Sequence, residues 1–160
     1  MTRLDILVAD DAHVVATWGR TFIQIWRGAP TVSASARMNE LARAFVSASP
    51  LPATSLFVVE AKSPSPDDGT RKNLATFSRD IVSQMKMSVV VAEGSGFRGA
   101  LVRAVGAALT TVLPHRSRFK FVDDVGYAAE LIEPYLLAGS GGPEALLRAT
   151  AQARSQIASV

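Results

Sequence analysis

The sequence predicts an α/β fold, a mixed and mostly parallel sheet with an N-terminal antiparallel hairpin and helices packed on it. Three observations predict it. Two short apolar runs, Ser55-Leu-Phe-Val-Val-Glu-Ala61 and Met87-Ser-Val-Val-Val-Ala92, show no alternation, the pattern of strands covered on both faces. Segments with helical spacing of apolar residues separate such runs. Near the N-terminus, Gly19-Arg20 stands between two segments rich in β-branched and aromatic residues; a two-residue loop with glycine first suits a type II′ hairpin turn.

Each element follows in order. Residues 4–9 read as a strand leading into the hairpin segments 14–18 and 21–27. Over 35–46, Met38, Leu41, Ala42, Phe45 and Val46 form one buried helical stripe, ended by Pro50 and Pro52. Between the two apolar strands, Leu74, Phe77, Ile81 and Met85 mark a second helix, with Asp67 or Asp68 and Gly69 at its start. A third helix is expected after Gly94, with Phe97, Leu101, Ala104, Val105, Ala108, Leu109 and Val112 inward and Pro114 closing it. Residues 118–123 are the last strand. The fourth helix carries Tyr127, Ala128, Leu131, Ile132 and Tyr135, and Pro134 must kink or restart it. Residues 1–138 thus make one α/β domain. A glycine-rich joint and a C-terminal helix follow over 139–160, where Pro143 suits the first turn and Leu146, Leu147, Ala149, Ala153 and Ile157 make a weak apolar stripe, free to dock or to dangle.

Composition bounds the function. In 160 residues, 48% hydrophobic and 19% charged content supplies a real core, and no apolar run is long enough to span a bilayer. With no signal-like N-terminus either, a cytoplasmic protein without a membrane span is expected. The absence of cysteine removes disulfides, thiolate metal sites and cysteine nucleophiles. A net charge of +3 spread along the chain is too mild to argue for nucleic acid. Trp18, Phe22 and Trp26 have only Arg20 and Arg27 beside them, so they read as core or partner surface rather than a base-stacking face.

Parallel strands joined by helical crossovers place all strand-to-helix loops along one edge of the sheet, where α/β proteins hold ligands. That edge gathers residues 28–33, 62–70, 93–96 and 123–125. In the third loop, Gly94-Ser95-Gly96-Phe-Arg98-Gly99 spells G-x-G-x-x-G after a strand. A dinucleotide fold needs two βαβαβ halves, and only one strand follows this helix, so a tight turn is the plainer reading. An anion or nucleotide site on Gly94, Ser95, Gly96 and Arg98 is the alternative. The second loop is polar and proline-rich. Ser63, Ser65 and Thr70 are phosphorylation candidates there, with Asp67 and Asp68 as partner-binding or helix-capping acids. Two adjacent carboxylates alone do not make a metal site, and none is expected. His13 and His115 are read as having no catalytic partner, and Ser95 lacks the spacing of a nucleophile elbow. No acid, base and nucleophile set can be assembled, so no catalytic residue and no cofactor are expected.

The order hairpin, helix, buried strand, helix, buried strand, helix, strand, helix resembles the STAS or SpoIIAA-like domains, the anti-sigma-factor antagonists and related sulfate-transporter modules. The residues that carry the likeness are Thr21-Phe-Ile-Gln-Ile-Trp26, Ser55-Leu-Phe-Val-Val-Glu-Ala61, the polar turn before Arg71, Ser88-Val-Val-Val-Ala92, and Phe119 to Asp123 leading to Ala128 and Leu131. The resemblance implies a bacterial, non-enzymatic signalling domain that binds a protein partner and is switched by phosphorylation at the start of the helix after the central strand, here the stretch 65–70. It departs from the family there, because Asp67-Asp68-Gly69-Thr70 has aspartate where the first serine of Asp-Ser-Ser-Gly would stand. The expected partner is a protein, with a small ligand as alternative and room for a homo-oligomer.

Overall fold

The computed structural model describes residues 1–94 and 118–158. Within them lies one six-stranded sheet whose strands follow each other in space as in sequence: β1 (Leu4–Ala9), β2 (His13–Trp18), β3 (Thr21–Trp26), β4 (Thr54–Val59), β5 (Met87–Ala92) and β6 (Phe119–Val122). The first three pair antiparallel and the rest parallel. At the β2–β3 turn Gly19 has φ +57° and Arg20 is not in the positive-φ region, the pair of signs a type II′ turn requires. The expected third helix falls outside the described residues, as do Ser95, Gly96, Arg98 and His115.

Helix α1 (Val32–Ser47) crosses from β3 to β4, and α2 (Asp68–Asp80) from β4 to β5. Thr31 caps α1 by accepting from the Ala34 amide, and Asp67 caps α2 by accepting from the Thr70 amide, each satisfying an amide that has no helical carbonyl to bond. Arg20 serves the other end of α1. Its guanidinium donates to the carbonyls of Phe45, Ser49 and Leu51 at 2.9–3.2 Å and lies over the Phe45 ring. The α2 stripe outlasts its helix: Ile81 ends it, a 3₁₀ turn follows at Val82–Gln84, and Met85 is already extended, yet Ile81 and Met85 are both fully buried.

After β6 the chain passes to the opposite face. Helix α3 (Val125–Ile132) ends in a 3₁₀ turn at Glu133–Tyr135, as Pro134 demands, and α4 (Gly142–Arg154) follows the glycine joint. The tail docks. Leu146, Ala149, Ala153 and Ile157 are buried in one cluster with Ala128, Ala129 and Ile132 of α3 and the aliphatic row Ile23, Ile25, Leu56, Val58, Val89 and Val91. Phe22, Trp26, Phe57 and Val59 on the other face pack with Met38, Ala42, Leu74 and Phe77 of α1 and α2. Trp18, Phe22 and Trp26 are therefore core residues.

Strand β1 joins both cores through one irregularity. Ile6 faces Ala16, but Val8 faces Val15, so Leu7 is an extra residue in the ladder. A one-residue slip moves the following side chains to the other face. Leu4 accordingly packs on the α3/α4 core and Val8 on the α1/α2 core.

Candidate functional site

Parallel register fixes the geometry of the carboxyl edge. Trp26 pairs with Val59 and Val59 with Ala92, so the next residues, Arg27, Glu60 and Glu93, stand in a row across three strand ends. Arg27 makes a two-pronged pair with Glu60, Nε to Oε2 at 2.8 Å and Nη2 to Oε1 at 3.2 Å. From the last turn of α4, Arg154 makes another with Glu93, at 2.7 and 3.0 Å, and its Nη1 lies 3.5 Å from Glu60 Oε1. The hydrogen bonds to Glu60 and Glu93 push both guanidinium pKa values further up. A chain of alternating charge, Arg27, Glu60, Arg154, Glu93, thereby ties α4 to the sheet. Arg27 Nη1 also donates to the Ile157 carbonyl at 3.4 Å, and the Ala158 amide donates to the Asp10 carbonyl at 3.1 Å.

Beside this chain opens a cavity of about 540 Å³. Arg27, Glu93, Asp123, Asp124 and Val125 wall it from the strand ends, and Leu147, Thr150, Ala151, Arg154 and Ser155 from α4. Asp124 caps α3 by accepting from the Tyr127 amide at 2.8 Å, and the Thr150 hydroxyl donates to the Leu146 carbonyl at 2.8 Å. The site thus offers fixed charges, a helix N-terminus and an apolar strip, and its lining combines orienting polar groups with surface to desolvate.

The loops named from sequence do meet at this edge. Ser63 Oγ donates to the Gly28 carbonyl at 3.0 Å and Thr70 Oγ1 to the Pro30 carbonyl at 3.4 Å, which joins the loop after β4 to the loop after β3. Gly94, at φ +82°, packs so closely on the same loop that a Cβ would come within 2.7 Å of the Ala61 Cβ. That contact accounts for the first glycine of the G-x-G-x-x-G run by close approach; the rest of the run lies outside the described residues. Among the phosphorylation candidates, Ser63 and Thr70 are buried with their hydroxyls spent on backbone carbonyls, and Ser65 is exposed. Asp67 is the α2 cap, and the Thr70 amide holds its carboxyl below the usual value. Asp68 is exposed and paired with Arg71.

His13 differs from its sequence reading. It is buried, stacked on Trp26 with ring centroids 4.5 Å apart, and its Nδ1 lies 3.0 Å from Asp10 Oδ1. Asp10 curls back over the β1–β2 turn, which no strand pattern foretells. Burial raises the Asp10 carboxyl, but the amides of Ala12 and His13 and the His13 ring together leave it below its usual value. Sequence reasoning also missed Glu60, Glu93 and Arg154 as partners. The only available signal was one charged residue directly after each apolar strand.

Among the described residues no group of three His, Asp or Glu side chains could hold a metal ion, and no helix is long and apolar enough to cross a membrane. No family model, no curated protein and no solved structure matches the chain.

Proposed function

We propose that the protein is a non-enzymatic binding domain whose recognition surface is the carboxyl edge of the sheet, and that the cavity beside α4 takes a small polar ligand. The observation that carries this reading is the cavity itself: about 540 Å³ at the strand ends, inside the roughly 300–1,000 Å³ range of small-molecule sites. Its polar groups are suited to binding rather than to turnover. Glu93 is held by Arg154, Asp124 caps α3, and the Thr150 hydroxyl is spent on its own helix, so none of these three stands ready as a base or nucleophile.

A thermal-shift panel of nucleotides, phosphate, amino acids and sugars tests it, because a ligand that binds the folded state raises the melting temperature. Ala151 is exposed and lines the mouth, so Ala151→Trp fills the opening without touching the core. The expected result is a stabilising compound whose shift disappears in this variant while the unliganded melting temperature is retained. A panel with no stabiliser, or equal shifts in both proteins, refutes the reading.

A second reading is favoured by the exposure of Ser65 beside Asp67 and Asp68. Here the loop after β4 binds a protein partner, and phosphate on Ser65 releases it, in line with the resemblance to SpoIIAA-like switches. Partner capture should then survive Ser65→Ala and be lost in Ser65→Asp. Identical capture by both variants rules out the switch.

A further inference from the structure

The two edges of the sheet are protected to different degrees. β6 has four residues and carries the exposed Lys120, a charge that discourages strand addition. β1 has six, none of them lysine or proline and none fully buried; its one charge, Asp5, is paired with Arg3, and its Ile6 and Leu7 side chains are 39% and 40% exposed. A longer edge with exposed apolar side chains at its centre is a template for another strand.

Charge along the strand selects the occupant. Arg3 stands at one end of β1, and Asp10 and Asp11 at the other. A second copy running parallel would set like charges side by side. Running antiparallel, it would set Arg3 against Asp11 at both ends, with Leu7 facing its own mate at the centre. Both groups are available for this. Asp11 is exposed and makes no ion pair or hydrogen bond among the described residues, and Arg3 holds only Asp5, across a pair in which the side chains are 86% and 53% exposed. Exposed pairs of that kind exchange partners at little cost. The bulge pushes Leu7 out of the β1–β2 ladder, at the point where the two-fold axis would pass.

We propose that β1 is a self-association edge: two copies of this chain pair antiparallel along Leu4–Ala9 about a two-fold axis at Leu7, joining their sheets into one. The interface is isologous, so each contact occurs twice. Being a single strand wide, it is weak and concentration-dependent.

Because the chain has no cysteine, Leu7→Cys reports its own mate directly. Under mild oxidation the full chain carrying this change should form a disulfide dimer, since directly opposed residues in an antiparallel pair lie within disulfide reach. Ser65→Cys, also exposed and on the loop before α2, should not. Sedimentation should show the cysteine-free protein shifting from monomer to dimer as its concentration rises. Arg3→Asp and Asp11→Arg should each weaken the dimer several-fold, and the double reversal should restore it. All of these positions are exposed, and circular dichroism checks that the fold is kept. A protein that stays monomeric throughout, equal cross-linking at positions 7 and 65, or a double reversal as weak as the single ones overturns the proposal.

Discussion

The two faces of the sheet are covered by helices of different origin, and they are held by different forces. Helices α1 and α2 lie within the crossovers, and polar groups pass between them. Asn39 donates to the Asn73 carbonyl at 3.1 Å, and Asn73 donates to the Val32 carbonyl and to Ser35 Oγ at 3.1 and 2.9 Å. Their face of the sheet also buries Gln24, Ser55 and Ser88. The α3/α4 face of the sheet is aliphatic along its middle, and alanines at 128, 129, 149 and 153 let the helices come close. Among the described residues its ion pairs sit at the rim, through Arg154. Buried polar groups that must find partners help fix how α1 meets α2, whereas α3 and α4 are positioned by shape and then pinned at one end.

The comparison breaks first at Leu146. It is fully buried at the centre of the aliphatic layer, with α4 on one side and sheet strands on the other. Leu146→Ala should cost about 3 kcal/mol, since a cavity opens in a closely packed aliphatic layer. Chemical denaturation reads this as a drop in midpoint. Leu74→Ala, in α2 on the opposite face, should cost less, because Leu74 is slightly exposed and its helix keeps the Asn73 bonds. Equal losses at both positions would erase the distinction.

The pin at the rim is the next effect in size. Arg154→Met keeps the stem but leaves Glu93 without its two-pronged partner, at a cost of about 1–2 kcal/mol. The loss should shrink in high salt, where charge pairs near the surface are screened. A variant as stable as the parent in low salt would show that shape alone holds α4.

How much of this was legible follows the same division. Strands β4 and β5 stand out in the sequence because continuous apolar runs have few other uses, and a cap at Asp67 or Asp68 was readable because the pair precedes an amphipathic stretch, though not which of the two would serve. The start of α1 was not: Val32 and Ser33 are exposed, so the stripe begins a turn after the Thr31 cap. The docking of α4 was illegible for a related reason, because alanine contributes little to an apolar stripe even where close approach makes it decisive. The site was half legible. Parallel topology predicts that loops gather at one edge, but the pairing of Arg154 with Glu93 depends on where α4 lands, and no local pattern near residue 154 encodes that.

On the polar face, Gln24 offers a smaller and opposite effect. It is fully buried between Val15 and Phe57 on neighbouring strands, and among the described residues its Nε2 has no hydrogen-bond partner and its Oε1 accepts only a 3.4 Å bond from the Trp26 indole. Replacement removes the orphaned amide donor, while a methionine sulfur remains as a weak acceptor for the indole N–H. Gln24→Met, similar in volume, should therefore raise stability by about 0.5–1 kcal/mol, seen as a higher denaturation midpoint. A loss of stability would mean that the indole bond outweighs the orphaned amide.

The smallest effect concerns the turn where the C-terminal end of the chain meets β1. Asp10 has its carboxyl below the ordinary value of 3.8 in the folded protein. The charged form is thus favoured by folding, and its contribution is complete above about pH 4 and lost as pH falls through the lower folded value. Asp67, lowered by the Thr70 amide, acts in the same direction at the start of α2. Asp10→Asn should flatten part of the fall in melting temperature below pH 4, and Asp67→Asn another part. Because Asp10 also orients His13 against Trp26, its replacement should change tryptophan fluorescence, which Asp67→Asn should leave alone. If both variants kept the parent's acid profile, neither carboxylate would be a source of the pH dependence.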